Sequence, residues 1–379
     1  MSEKARSILF CLDYYWPHLG GGEVLFTGIA EGLAARGWRV KVLTQGMKGV
    51  SRHEFHNGVE IFRHWSRSRY TFAWASIPAM CRLAADVDLI HTEIFAAAIP
   101  AWIASRIRHK PLALTVHEVW IGKWAEISDG GSFSNWANDK IERLIYCFDY
   151  RNYIAVSHAT ARELMRIGVP KERIEVIHNG IDYDLWNPAK YDRVSERMKS
   201  GYANDEFIFM YSGRPGRTKG FSFLLKAFAS IAGDYPNALL VARLSRAKAV
   251  RHEYEAALAL TKELGIEERV RIIPPVPFEE IPPMTLCADA IVVPSLSEGF
   301  GFVAAEACAM GRPVIVSDNA SLPEVVSGNL LQVPPRDVEA LSAALKKALQ
   351  GKWETIPERC FPVAATLEHH IDYYERLLK

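Results

Sequence analysis

The residues with the clearest chemistry stand in one stretch, Glu298-Gly-Phe-Gly-Phe-Val-Ala-Ala-Glu306. Its two carboxylates are eight positions apart, and Gly299, Phe300, Gly301 and Phe302 directly follow the first. The apolar run from Asp289 to Pro294 predicts a buried strand that ends at Ser295. The Ala-rich run from Val303 to Met310 predicts a helix. Glu298 then lies in a strand-to-helix loop, and Glu306 projects from the second turn of the helix. The backbone N–H groups of 299–302 become donors at a helix N-terminus, a seat for a phosphate. A carboxylate can accept hydrogen bonds from both hydroxyls of a diol. One such carboxylate on each side of a phosphate seat suits a sugar nucleotide. A surface loop followed by an ordinary helix is the competing reading of so short a motif.

A second loop supplies positive charge. Tyr211-Ser-Gly-Arg-Pro-Gly-Arg-Thr-Lys-Gly220 follows an apolar run and opens a helix at Phe221. Gly213, Gly216 and Gly220 permit close backbone approach. Arg214 offers a planar fork and Lys219 a point charge, a pair suited to a diphosphate. The alternative is a solvated basic loop. Gly20-Gly21-Gly22 forms a strand-to-helix turn in which Gly21 and Gly22 could approach a phosphate, or simply make the turn. Leu25 breaks a Gly-x-Gly-x-x-Gly pattern, which argues against a nicotinamide dinucleotide. His117 stands at the carboxyl end of the predicted strand Leu112–Val116, where open α/β sheets bind ligands. A structural, hydrogen-bonding histidine is its other reading. No histidines have a metal-ligand spacing, and two Asp-x-Asp pairs are the rival metal signals. Asp86-Val-Asp88 precedes a strand and Asp182-Tyr-Asp184 lies in a polar hinge, so both are expected to be turn or surface carboxylates. No metal or cofactor is expected.

The elements that must position these residues alternate. Strands are predicted at Ile8–Leu12, Val40–Thr44, Leu89–His91, Leu112–Val116 and Tyr153–Val156, with a helix from Glu23 to Ala35 that Gly37 ends. The second half repeats the pattern at Phe207–Tyr211, Ala238–Ala242, Val270–Ile273, Ala290–Val293 and Val314–Ser317. Helices are predicted near 221–232, 251–264, 303–310 and 337–350. Such alternation means parallel strands joined by crossover helices. The expectation is an α/β chain with two Rossmann-like, doubly wound parallel-sheet domains facing each other across a cleft. The polar, Pro- and Gly-punctuated stretch 183–204 marks the boundary, giving domains 1–185 and 204–362. Asn179-Gly180 reads as turn chemistry.

These motifs together resemble the retaining glycosyltransferases of the GT-B class called family 4, with Glu-x7-Glu as the signature. The resemblance spans Gly20 to Asp337 and is most specific at 213–220 and 294–313. It implies that Glu298 contacts the donor sugar and Glu306 the ribose, while Arg214 and Lys219 neutralise the departing diphosphate. It implies that His117 lies near the scissile bond, and that Gly21, Gly22, Gly213, Ser295 and residues 299–302 line the donor. It further implies a transfer in which the leaving diphosphate takes the acceptor's proton, and no protein nucleophile is named. The lack of a credible metal-ligand arrangement makes the expected transfer metal-free. The tail 363–379 is assigned to the first domain on the same ground. Departures are Arg243-Leu-Ser-Arg-Ala-Lys248 where the family has a Gly-rich turn, Pro274-Pro275, and Trp38. The first of these leaves the nucleotide base open.

Net charge is +1, so the chain gives no nucleic-acid signal. The six cysteines are scattered and expected to be reduced. No apolar run approaches a membrane span, and Ile8–Leu12 is too short for a signal-peptide core. A cytoplasmic enzyme is expected. Residues 36–82 are basic, with Arg36, Arg39, Lys41, Lys48, Arg52, Arg63, Arg67, Arg69 and Arg82 against Glu54 and Glu60. Trp65, Tyr70, Phe72 and Trp74 are interleaved. This composition suits weak contact with an anionic membrane and hence a lipid-linked or envelope-polysaccharide acceptor. Core aromatics and an ordinary solvated face are the alternative. The functional expectation is transfer of a hexose from a nucleotide sugar to such an acceptor. A nucleotide-sugar 2-epimerase, or a non-catalytic sugar-nucleotide-binding protein, could carry the same architecture.

Overall fold

The structure is a computed structural model that describes residues 5–18 and 20–379. It divides into two compact units. The first holds the described residues up to Gly122, then Trp136–Gly180 and Phe361–Lys379. The second holds Lys123–Asn135 and Ile181–Cys360.

Among the described residues, the first unit has one eight-stranded sheet. Its strands are β1 (Ser7–Leu12), β2 (Arg39–Gln45), β3 (His53–His56), β4 (Val59–His64), β5 (Leu89–Glu93), β6 (Leu112–Val116), β7 (Tyr153–Ala155) and β8 (Ile174–Val176). Their spatial order is β3-β4-β2-β1-β5-β6-β7-β8, parallel except for the β3–β4 hairpin. β1 is buried on both faces. Leu9 and Cys11 join one apolar core, and Ile8, Phe10 and Leu12 join the other. That two-sided burial is why the strand reads as an unbroken apolar run.

The second sheet has seven strands among the described residues. They are β9 (Phe207–Gly213), β10 (Ala238–Leu244), β11 (Val270–Ile273), β12 (Ala290–Val293), β13 (Val314–Ser317), β14 (Gly328–Val333) and β15 (Glu354–Ile356). Their order is β11-β10-β9-β12-β13-β14-β15, with only the β14–β15 pair antiparallel. Both sheets are therefore Rossmann-like. In each, the strand order reverses beside the first strand, between β1 and β5 and between β9 and β12. The crevice outside the carboxyl ends at such a reversal is where open α/β sheets bind ligands.

Two expectations about organisation change. Residues 123–135 fall inside the expected first domain but pack with the second unit. The Asp129 carboxylate accepts the Arg217 N–H at 2.8 Å, and the Thr218 hydroxyl donates to the Ile127 carbonyl at 2.6 Å. The boundary also comes earlier, at Ile181. Residues beyond it are tied down by Arg193 and Arg197, which reach Asp289 at 2.6 and 3.0 Å.

The terminal helix Val363–Leu377 groups with the first unit. Leu367, Tyr373 and Tyr374 enter the core beneath the helix Gly21–Ala35. The Tyr374 hydroxyl meets Nδ1 of buried His91 at 2.6 Å, while His91 Nε2 meets the Thr115 hydroxyl at 2.8 Å. Gly180 serves this contact. A Cβ there would lie 2.5 Å from the Val363 Cα, so absence of a side chain lets the helix backbone approach.

Candidate active site

In the second unit, the loop 213–220 leaves β9 and the stretch 294–301 leaves β12, so both open at the strand-order reversal. They are clamped together. Gly220 has φ +68°, and a side chain there would overlap the Pro294 carbonyl oxygen. The Leu296 N–H donates to the Thr218 carbonyl at 2.7 Å. This close approach places Lys219 Nζ 2.7 Å from Glu298 Oε1. The Ser295 hydroxyl donates to the same carboxylate oxygen at 2.8 Å, and the Ser321 hydroxyl donates to the Glu298 carbonyl at 3.0 Å. Glu298 is thus held on side chain and backbone, with its Oε2 outside those two side-chain contacts. The pairing of Lys219 with Glu298 was not legible in the sequence, which gave Lys219 to the diphosphate.

Arg214 lies exposed in the same loop, and its carbonyl accepts the Tyr211 hydroxyl at 2.8 Å. Gly213 closes β9. The helix Phe302–Ala309 starts after Gly301, whose φ of +91° forms a left-handed cap without a capping side chain. The first N–H groups of a helix have no partner within it, so this end can receive an anion. Phe300 is buried and its ring lies edge-on to Phe302, 5.3 Å between centroids. Glu306 sits in the second turn of that helix. Burial pushes its carboxyl up to about 7, and the nearby Arg243 guanidinium pulls it back. Arg243 Nε donates to the Ser212 hydroxyl at 3.0 Å. The departure at Arg243 is therefore a cation beside Glu306.

In the first unit, His117 follows β6 and its Nε2 lies 3.5 Å from Glu93 Oε2 at the end of β5. Gly22 borders both, since a Cβ on it would lie 3.4 Å from His117 Nε2 and 3.8 Å from Glu93 Oε2. The helix begins at Gly21, two residues earlier than expected. Its first turn carries Glu23, whose carboxylate pairs with His18 Nδ1 at 3.1 Å. A negative side chain already occupies the favourable end of that helix dipole. Glu93 escaped the sequence reading. Its only signal was its place at the end of a strand, two residues past His91.

Asp86 and Asp88 make structural contacts. Asp86 pairs with Lys41 at 3.0 Å and Arg39 at 2.8 Å, and Asp88 accepts the Ser7 N–H at 2.9 Å. Asp182 accepts the Asp184 and Leu185 N–H groups in a turn. Among the described residues, no group of three or more His, Cys, Asp or Glu is placed to hold a metal ion. The basic segment 36–82 is less free than its composition suggests. Arg63 is buried and pairs with Glu54, Arg36 pairs with Glu368, and Phe72 is core. Trp65, Tyr70 and Trp74 remain exposed.

The profile described as Glycosyltransferase Family 4 matches residues 19–185, and that described as Glycosyl transferases group 1 matches 192–360. An uncharacterised glycosyltransferase of Methanocaldococcus jannaschii is 27% identical over 352 residues, covering 88% of this chain and 87% of that protein. A D-inositol 3-phosphate glycosyltransferase of Catenulispora acidiphila is 28% identical, with 70% of this chain and 66% of that protein covered. Sucrose-phosphate synthase from Thermosynechococcus elongatus superposes with a TM-score of 0.82 at 23% identity, covering 99% of both chains. The Anabaena protein HepE, in complex with UDP and glucose, does so at 0.77 and 21% identity, covering 97% of this chain and 99% of that one. The paired Rossmann-like sheets are those of the GT-B class. With family matches over both units, the carboxylates, cations and glycines gathered at the strand ends belong to a group 1 glycosyltransferase, an enzyme of nucleotide-sugar glycosyl transfer.

Proposed function

We propose that this enzyme moves a hexose from a nucleoside-diphosphate sugar to a hydroxyl acceptor, with retention at the anomeric carbon and without a metal ion. The observation that carries the reading is the Lys219–Glu298–Ser295 cluster at the β9–β12 reversal, held by the Gly220 approach to Pro294. Glu298 orients the sugar. Arg214 and Lys219, with the helix end after Gly301, stabilise the leaving diphosphate, the role that preorganised donors fill for developing charge. Glu306 accepts hydrogen bonds from the ribose hydroxyls, and His117 acts on the sugar. The leaving diphosphate takes the acceptor's proton, so no protein nucleophile is required. UDP-glucose is the first donor to try, because HepE is a structural neighbour in complex with it.

A thermal-shift screen of UDP-, GDP- and ADP-sugars, followed by product analysis in EDTA, tests this. A ligand at 100 times its Kd adds about 2.7 kcal/mol of stability. Donor-dependent stabilisation and EDTA-resistant transfer with retained configuration are expected. Loss in EDTA that magnesium restores would overturn the metal-free part. An epimerised donor, formed without any acceptor, would favour the epimerase instead.

The acceptor proposed is lipid-linked or an envelope polysaccharide, presented at an anionic membrane. The supporting observation is a surface with exposed Trp65, Arg67, Tyr70 and Trp74, in which Arg69 stacks 5.2 Å from the Tyr70 ring centroid. The Tyr70 hydroxyl donates at 3.4 Å to Asn138 Oδ1 on the helix Ser132–Tyr146, which also carries exposed Trp136 and Leu144. Among the described residues, no helix is long and apolar enough to cross a membrane. Each cation near an anionic surface contributes about 1 kcal/mol, so binding would be weak and salt-sensitive. Co-sedimentation with phosphatidylserine vesicles should fall with salt and with Trp65→Ser and Trp74→Ser. Equal recovery of both variants would favour a soluble acceptor.

A further inference from the structure

The strand order of the first sheet reverses between β1 and β5, and the residues at those two strand ends are Asp13 and Glu93. Neither has a part in the donor chemistry described so far. Asp13 is 9% exposed. Its N–H donates to Glu93 Oε1 at 2.8 Å, and its Oδ1 accepts the Ala97 N–H at 2.8 Å. One Glu93 oxygen is therefore anchored to the backbone, and the other faces His117 Nε2 at 3.5 Å. That nitrogen is buried and has no hydrogen-bond partner. The His117 ring is held edge-on against Phe26, 6.0 Å between centroids at 89°. A ring fixed by packing, with one nitrogen aimed at an anchored carboxylate, is one short movement from a hydrogen bond. Hydrogen bonds of this kind tighten in substrate complexes.

We propose that Glu93, anchored by Asp13, is a positioning residue for His117: its carboxylate selects which ring nitrogen carries the proton and sets the imidazole for the sugar. This rests on the glycosyl-transfer reading of the site. A carboxylate that accepts from one imidazole nitrogen fixes the tautomer and orientation of the ring, leaving the other nitrogen a defined role. Asp13 adds a pH dependence. Burial, and then the Glu93 charge, push its carboxyl up to about 7, against two backbone N–H groups and Arg69. The other titratable neighbour is Cys11 on β1, whose thiol is pushed up by burial and stays neutral. Below about pH 7 the Asp13 carboxyl keeps its proton. Above it Asp13 ionises, and like-charge repulsion works against the Glu93 that holds His117.

Two substitutions test this in the full-length chain. Glu93→Gln keeps an oxygen for the Asp13 N–H and removes the charge. Asp13→Asn mimics the protonated acid. Imidazole nitrogen NMR of the ligand-free protein should show the His117 Nε2 resonance moving in Glu93→Gln. With the nucleotide sugar that the wild type turns over, Glu93→Gln should lower kcat about tenfold and leave donor KM within about twofold. Combined with His117→Ala it should cost no more than His117→Ala alone, because it acts through that ring. Asp13→Asn should remove the fall in kcat above about pH 7. An unmoved ring resonance, or additive losses in the double variant, would overturn the proposal. A wild type that turns over no nucleotide sugar would overturn the functional reading instead, and the NMR result would still decide whether Glu93 positions His117.

Discussion

At the scale of single residues, Glu298 receives two donors on one oxygen, Lys219 and Ser295. Removing the ammonium leaves a partly buried carboxylate without its counter-charge and withdraws a cation from the leaving group. Lys219→Ala should therefore lower turnover on the order of 100-fold, the range for one electrostatic donor, and Lys219→Arg should restore little, since a planar fork cannot replace a point charge here. Steady-state kinetics against the wild type check both. Glu306 gives a pH-resolved prediction. Its carboxyl is raised to about 7, so it is mostly protonated at pH 6 and mostly ionised at pH 8. An ionised carboxylate accepts ribose hydroxyls with about 1.5–3 kcal/mol per charge-assisted bond. Nucleoside diphosphate affinity should thus rise from pH 6 to pH 8 more in the wild type than in Glu306→Gln. Calorimetry on the pair removes the nucleotide's own ionisation by difference. If the two proteins show the same rise, Glu306 does not meet the ribose.

At the scale of elements, two glycines decide how segments meet. Gly220 combines a left-handed backbone with contact against the Pro294 carbonyl, so Gly220→Ala is strained twice. It should cost a few kcal/mol and loosen the loop that delivers Lys219, visible as a lower Tm together with weaker nucleotide binding. Gly180→Ala meets the Val363 backbone and the Thr366 hydroxyl of the terminal helix. It should cost about 1–3 kcal/mol of stability, read as a lower Tm, and leave nucleotide affinity in the second unit unchanged. Gly180 shows a limit of local reading. Asn-Gly is a turn signal, and nothing within a few residues announces a helix that begins at Val363. Three of the four edge strands among the described residues were hidden for a different reason. β3, β8 and β15 are short and partly or largely exposed, so they lack the apolar runs that mark β1, β6 and β12.

At the scale of the whole molecule, opposing buried groups set the pH dependence of stability. Asp13 and Glu306 have carboxyls raised to about 7. Folding retains their protons where the unfolded chain has lost them, so their contribution falls as pH rises from about 4 to about 7. His91 and His370 are buried and lowered, His370 to about 4. Their contribution is present above the ordinary histidine range and is lost as pH falls below about 6.5. The two effects oppose each other between about pH 4.5 and 6.5. Tm should therefore be nearly flat there in the wild type. In Asp13→Asn combined with Glu306→Gln the histidine effect stands alone, and stability should rise with pH by up to about 2.7 kcal/mol per unit, two protons' worth. Calorimetric scans in a pH series check this, and a double variant as flat as the wild type would contradict it.

The sequence by itself determined the two Rossmann-like sheets and the loops that end their central strands. Strands buried on both faces must be apolar throughout, and the turns that follow them need glycines and charges close together in the chain. That is why 213–220 and 298–306 were legible. Tertiary structure alone decided which charges meet. Lys219 and Glu298 are 79 residues apart and touch because β9 and β12 are neighbours across a strand-order reversal. Glu93 and Asp13 meet at the other reversal in the same way. Arg36 finds Glu368 across 332 residues of chain, and Arg63 folds inward onto Glu54, so a segment that reads as basic presents fewer free charges than its composition counts. Periodicity and turn chemistry are written within a few residues. Pairing between strand ends is set by sheet topology, which makes neighbours of distant residues and is not written at either one.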